Sequence, residues 1–173
     1  MSEPLGNPVV NPIINVDELE FSDSASHGQR FEVRMAEVAP KIGAKRLGYN
    51  VTAVPPGKRA FPFHNHHANE EMFFVLAGEG TLRFGAGEYP VRAGDIIACP
   101  PGGPEVAHQL INSGTEELRY LAVSTNIGTD VFQYPDSGKF GVSAGRGPDR
   151  DEARFRGFYD QSTSLGYWDG EEP

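Results

Sequence analysis

Residues 64–75 read His64-Asn65-His66-His67-Ala68-Asn69-Glu70-Glu71-Met72-Phe73-Phe74-Val75, and three of these side chains have the chemistry to hold one metal ion. In extended chain, side chains two positions apart point the same way, so His64 and His66 can address a common point. Ala68-Asn69 makes a turn, after which Glu71 opens an apolar strand whose inward face carries Glu71, Phe73 and Val75. Two imidazoles beside a carboxylate form a donor set that borderline transition metals favour. A fourth candidate, His108, sits on a stretch Val106–Ile111 in which His108 and Leu110 face the same side. Three imidazoles and one carboxylate leave positions open on a six-coordinate ion, as a reactive site requires.

Neighbouring residues compete for these roles. Glu70 lies on the opposite face from Glu71 if the strand begins before it. His67 points away from His66 and suits a surface role, and His27 has no partner in the sequence around it. Cys99 follows Ile96-Ile97-Ala98 and reads as a buried, inert thiol. Phe61, Phe63, Phe73, Tyr49 and Tyr120 read as core. Gly57, Gly78, Gly94 and Gly102 read as turn residues needing unusual backbone angles, and Asn112 as a residue that orients a loop by hydrogen bonds to the backbone. Lys58, Arg59, Arg83 and Arg92 are the cations that could meet an anionic substrate, although scattered charges on a β protein are usually solvated.

These residues must be positioned by short strands. Leu47–Val54 alternates with Leu47, Tyr49, Val51 and Ala53 on one face, and Pro55-Pro56-Gly57 ends it. Glu71–Leu76, Thr81–Phe84, Tyr89-Pro90-Val91, Asp95–Cys99, Val106–Ile111 and Leu118–Ser124 follow, each bounded by turn residues. Such spacing predicts an all-β sandwich or barrel, a choice the pattern leaves open. Residues 1–45 lack periodicity apart from a helical turn at Asp17–Phe21 and a strand at Phe31–Met35, and read as an arm packing on the barrel or on a partner subunit. Residues 46–125 form the barrel. Residues 126–173 are Gly-rich and polar yet carry Phe132, Tyr134, Phe140, Phe155, Phe158, Tyr159, Tyr167 and Trp168. That many aromatics predicts an ordered extension over the barrel mouth or across a dimer interface.

Composition narrows the function. The 173 residues suit one domain, and 21 Gly with 14 Pro suit a turn-rich β chain. The formal charge of −9 disfavours nucleic acid and anionic membrane as partners, and no apolar run is long enough to span a bilayer. One cysteine excludes an internal disulfide and a Cys-based zinc site. No signal peptide is read at Met1-Ser2-Glu3-Pro4, and the expected location is cytoplasmic.

The residues resemble the cupins. The first cupin motif, Gly, His-x-His, four residues, Glu, six residues, Gly, is met by Gly57, His64, His66, Glu71 and Gly78, with one extra residue between Gly57 and His64. The second, Gly, five residues, Pro-x-Gly, then a His followed four positions on by Asn, is met by Gly94, Pro100, Gly102, His108 and Asn112, with three extra residues before His108. The resemblance implies a double-stranded β-helix (jelly-roll) barrel, one divalent metal held by His64, His66, Glu71 and His108, and a homodimer. Mn, Fe, Co, Ni and Zn all accept such donors. Leu47–Ser124 is similar, more loosely, to single-domain cupins described as sugar-phosphate isomerase-like.

Three functions fit this reading. The first is an isomerase whose metal acts as a Lewis acid on a sugar or sugar phosphate, with Glu70, Glu105 or Tyr49 as candidate general base. The second is an Fe(II)-dependent dioxygenase, and the third a non-catalytic small-ligand-binding barrel.

Overall fold

The computed structural model describes residues 11–145 and 155–171. Its strands are β1 (Asp23–His27), β2 (Phe31–Glu37), β3 (Leu47–Val54), β4 (Asn65–His66), β5 (Glu71–Ala77), β6 (Glu79–Phe84), β7 (Gly87–Arg92), β8 (Ile96–Cys99), β9 (His108–Ile111), β10 (Leu118–Thr125), β11 (Thr129–Tyr134), β12 (Lys139–Ala144) and β13 (Phe155–Asp160). Helix is confined to short 3-10 turns such as Val16–Glu18 and Pro104–Val106. The all-β expectation holds, and no helix among the described residues is long and apolar enough to cross a membrane.

Three antiparallel sheets build the jelly roll. A six-stranded sheet runs β1-β2-β3-β10-β5-β8, a three-stranded sheet β7-β6-β9 and a four-stranded sheet β13-β12-β11-β4. The first two face one another across the core. Val54, Phe73, Val75, Leu118 and Tyr120 come from the larger sheet, and Leu82, Val91 and Leu110 from the smaller. Inward residues on β5 alternate as a half-buried strand should: Phe73 and Val75 are buried, while Met72 and Phe74 are only half covered.

β3 departs from the alternation its sequence shows. Val51, Thr52, Ala53 and Val54 are all buried, because β3 lies between β2 and β10 with side chains packed over both faces. A two-residue period reveals which residues share a face, but not whether the second face is covered. The strand read as Val106–Ile111 also begins later. Pro104 starts a 3-10 turn that ends at Val106, so the three-residue insertion forms this turn and β9 opens at His108 itself.

Glycine expectations divide in the same way. Gly57, Gly78 and Gly94 have φ of 74°, 80° and 95°, the left-handed region where a side chain is strained. Gly102 does not. Its place is fixed by hydrogen bonds instead, its N–H donating to the His66 carbonyl at 2.8 Å and its carbonyl accepting from Asn65 Nδ2 at 2.8 Å.

The four-stranded sheet lies beside the barrel's His-bearing edge. β11 pairs with β4 so that Phe132 stands opposite His66, and Gly141 of β12 stands opposite Phe132 on the other side. A Cβ at Gly141 would lie 2.0 Å from the Phe132 ring. That ring is held among His66, Tyr134 and Phe158, with centroids 5.9, 6.0 and 5.8 Å away. Gly141→Ala is therefore expected to destabilise the protein by about 1–3 kcal/mol, an overpacking cost that outweighs the entropic gain of about 0.4–1 kcal/mol from losing a glycine. A chemical denaturation midpoint equal to or above wild type would contradict this packing.

Candidate metal centre

His64, His66, Glu71 and His108 come from four places in the chain and meet at one point. His66 is carried by β4, Glu71 opens β5 and His108 opens β9. His64 precedes β4 and bridges His108 through reciprocal backbone hydrogen bonds of 3.2 and 2.8 Å. Asn65 between the two histidines turns the other way, fully buried, with its amide on Gly102. The alternation of extended chain thus sends His64 and His66 to one side, as their spacing requires.

The Glu71 carboxylate is the hub. Its Oε2 lies 3.0 Å from His108 Nε2, 3.6 Å from His66 Nε2 and 4.0 Å from His64 Nε2. His64, His66 and Glu71 offer ligand atoms all within 4.8 Å of one another, a group that could hold a metal ion. His108 touches Glu71, but its ring centroid stands 6.5 Å from that of His66.

The far nitrogen of every imidazole is spoken for. His64 Nδ1 is 2.8 Å from the Pro62 carbonyl, His108 Nδ1 is 3.2 Å from the Val106 carbonyl, and His66 Nδ1 is 2.6 Å from Asp130 Oδ2. Each acceptor requires Nδ1 to carry the hydrogen, which leaves the Nε2 lone pair facing Glu71. Lone pairs converging on a carboxylate repel it unless a cation lies between. The residues therefore fit a divalent metal.

Burial and charge act on these groups together. Burial, helped by the nearby His108, lowers the His64 pKa to about 4, so its imidazole is neutral at pH 7. Burial opposes charge on His66 too, but the Asp130 carboxylate outweighs it and raises that pKa. Burial would push Glu71 up, yet the close approach of His108, with His66 and His64 beside it, holds it below the ordinary value. Burial also pushes the Cys99 thiol far up, with the Glu71 charge adding to the effect; Cys99 is a buried, unreactive thiol, as its neighbours suggested.

Asp130 escaped the sequence reading. It is buried on β11, and its carboxylate accepts from His66, from Asn69 Nδ2 at 2.8 Å and from the Ala68 N–H at 3.0 Å. Burial alone would raise its pKa, and these donors lower it. An aspartate 64 residues from its histidine, in a segment without motif, gives no signal in one sequence.

A cavity of about 260 Å³ opens on this group, lined also by Ser124, Ile127, Phe132, Tyr134, Ser143 and Arg156. None of the candidate bases Glu70, Glu105 or Tyr49 lines it. Glu70 is exposed, with its N–H on Thr125. Glu105 is drawn back to the Gly103 N–H at 2.8 Å. Tyr49 pairs with Val123 on the barrel's outer face. The candidate anion holders are elsewhere as well: Arg83 is clamped by Asp136 at 2.6 and 2.8 Å, and Lys58 reaches the Gln29 carbonyl. His67 is exposed, on Gln133 at 2.9 Å, and Asn112 is buried, holding the Val54 and Glu116 carbonyls at 2.8 Å.

Comparison with known proteins agrees with this architecture. The cupin domain family matches residues 50–124. The oxalate-binding protein of Thermotoga maritima is 29% identical over 102 residues, 58% of this chain and 81% of that protein. A candidate sugar phosphate isomerase of Acidithiobacillus ferrooxidans superposes with a TM-score of 0.66 at 27% identity, covering 77% of this chain and 80% of that one. A cupin sugar phosphate isomerase of Silicibacter pomeroyi superposes with a TM-score of 0.73 over 91% of this chain and 98% of its own, at an identity of 23% that speaks to the fold. Residues 50–124 thus match the cupin domain family, and both histidine-bearing motifs lie on one jelly roll.

Proposed function

We propose that this chain is a divalent-metal cupin, with His64, His66, Glu71 and His108 as the metal's protein ligands, acting as a cytoplasmic homodimer on a small oxygen-rich substrate of the sugar or sugar-phosphate kind. The convergence of three Nε2 lone pairs on Glu71 Oε2, each ring fixed through its Nδ1, carries the reading. When bound, the metal supplies Lewis-acid stabilisation of negative charge on a substrate oxygen, the requirement for isomerisation through an enediolate.

The chain's own residues supply the rest. Tyr134 lines the cavity with its ring stacked on His64 at 6.0 Å. Burial raises its phenol pKa despite the nearby Arg156, so its hydroxyl keeps the proton at neutral pH and can donate it to a substrate oxygen. Phe132 and Ile127 line the same space and exclude water from part of it. The similarity to a sugar phosphate isomerase candidate supports this substrate class, and the similarity to an oxalate-binding protein supports a second reading, ligand binding without turnover.

The test is incubation of metal-reconstituted protein with aldose and ketose phosphates in D2O, followed by NMR. Metal-dependent interconversion with deuterium entering the carbon next to the carbonyl is the expected result. Oxygen uptake with the Fe(II) form instead would replace isomerisation by dioxygenase chemistry. Saturable binding without exchange would favour the second reading.

A further inference from the structure

We propose that the cavity takes an anionic ligand, one bearing a carboxylate or phosphate group, and that β13 supplies the residue that holds this group, Arg156, with Ser143 of β12 beside it. The inference rests on the metal reading and adds the charge and orientation of the ligand.

The register places these residues. Asp130 of β11 stands opposite Ser143 of β12, and Ser143 opposite Arg156 of β13. All three line the cavity, so they form one row across three neighbouring strands, about 10 Å from first to last by ordinary strand spacing. The Asp130 end of the row touches His66. A short ligand with one oxygen at the histidine cluster therefore has its other end near Arg156.

Charge then selects what that end must be. Arg156 is the only lysine or arginine lining the cavity among the described residues, in a protein of net charge −9. The two carboxylates of the cavity are turned to the histidine cluster and its neighbours rather than to Arg156. Glu71 faces the three imidazoles, and Asp130 accepts from His66, Asn69 and Ala68. Arg156 has no carboxylate partner among the described residues. Its guanidinium lies 5.6 Å from the centroid of the Phe158 ring, a packing that orients the group without neutralising it. Guanidinium groups pair with carboxylate and phosphate through two parallel hydrogen bonds.

Ser143 adds an independent sign. Its Oγ is buried against the cavity with no hydrogen-bond partner among the described residues. Buried hydroxyls are rarely left so, and an anion's oxygen beside Arg156 would accept its hydrogen. Arg46, Lys58, Arg59, Arg83, Arg92 and Arg119, the cations of the barrel segment itself, do not line the cavity; the barrel without the C-terminal strands would lack the anion's partner.

The experiment is isothermal titration of the Mn(II)-loaded full chain with glycolate as the carboxylate, glycerol 3-phosphate as the phosphate and glycerol as the neutral control. Wild type should bind at least one of the two anions more tightly than glycerol, and the preferred anion tells carboxylate from phosphate. Arg156→Gln should weaken that anion roughly 10–100-fold, the worth of a hydrogen-bonded charge, with Mn(II) affinity and melting temperature unchanged. Arg156→Lys should retain part of the affinity, Ser143→Ala should lose roughly fivefold, and Arg92→Gln should match wild type. No saturable binding of either anion, equal binding of glycerol, or full anion affinity in Arg156→Gln would overturn the proposal. The same titrations on metal-free protein separate the two readings. If Mn(II) does not bind but anion binding persists and depends on Arg156, the metal reading fails alone. If Mn(II) binds and Arg156→Gln changes nothing, the anion assignment fails alone.

Discussion

Glu71→Gln will lose tightly bound divalent metal, while Glu70→Gln next to it will bind as wild type does. Glu71 Oε2 is within 4.0 Å of all three Nε2 atoms, so any ion placed among the imidazoles must also meet this carboxylate. The amide keeps the shape but removes the charge that offsets the cation. Removing a residue that only supports a ligand typically weakens a metal site about 10–100-fold; loss of the charged hub should exceed that and leave little metal after gel filtration. Glu70 is exposed and bound through its backbone to Thr125. Elemental analysis of the two purified variants decides the matter. Stoichiometric metal in Glu71→Gln would remove Glu71 from the ligand set, and loss of metal in Glu70→Gln would exchange the two.

The next largest effect is expected at a residue that touches no ion. Asp130→Asn should weaken metal binding about 10–100-fold and change its pH dependence. The Asp130 carboxylate fixes the His66 ring through Nδ1 at 2.6 Å and raises the pKa of that ring against the pull of burial. A proton on His66 Nε2 competes with the metal. Wild-type affinity should therefore fall as pH drops through the raised His66 pKa, above the ordinary value of 6.5, and level off at higher pH. In Asp130→Asn burial acts without its counterweight, so the fall should move to lower pH while the plateau drops. Metal titrations from pH 5.5 to 8.5 measure both. An unchanged plateau and midpoint would show that Asp130 neither orients nor charges His66.

The sequence by itself determined most strands between Leu47 and Ser124 and the common side of His64 and His66, because these depend on local alternation. The barrel and the place of His108 among the ligands came instead from the resemblance to the cupins. His64 and His66 are two apart with Asn65 turned away, Glu71 shares its strand face with Phe73 and Val75, and glycines with positive φ at 57, 78 and 94 mark the turns between. Tertiary structure decided what lies across from them. Asp130, Tyr134, Ser143 and Arg156 sit in strands with no motif, and they reach the cavity only because β11 pairs with β4 and carries β12 and β13 beside it. Strand pairing over 60 and more residues is set by which surfaces bury one another, and no spacing within a strand records its partner. The same reason explains β3, buried on both faces despite its alternation. It also explains the rejected bases: Glu70 and Glu105 are near the ligands in sequence and Tyr49 is on a neighbouring strand, but none of the three lines the cavity.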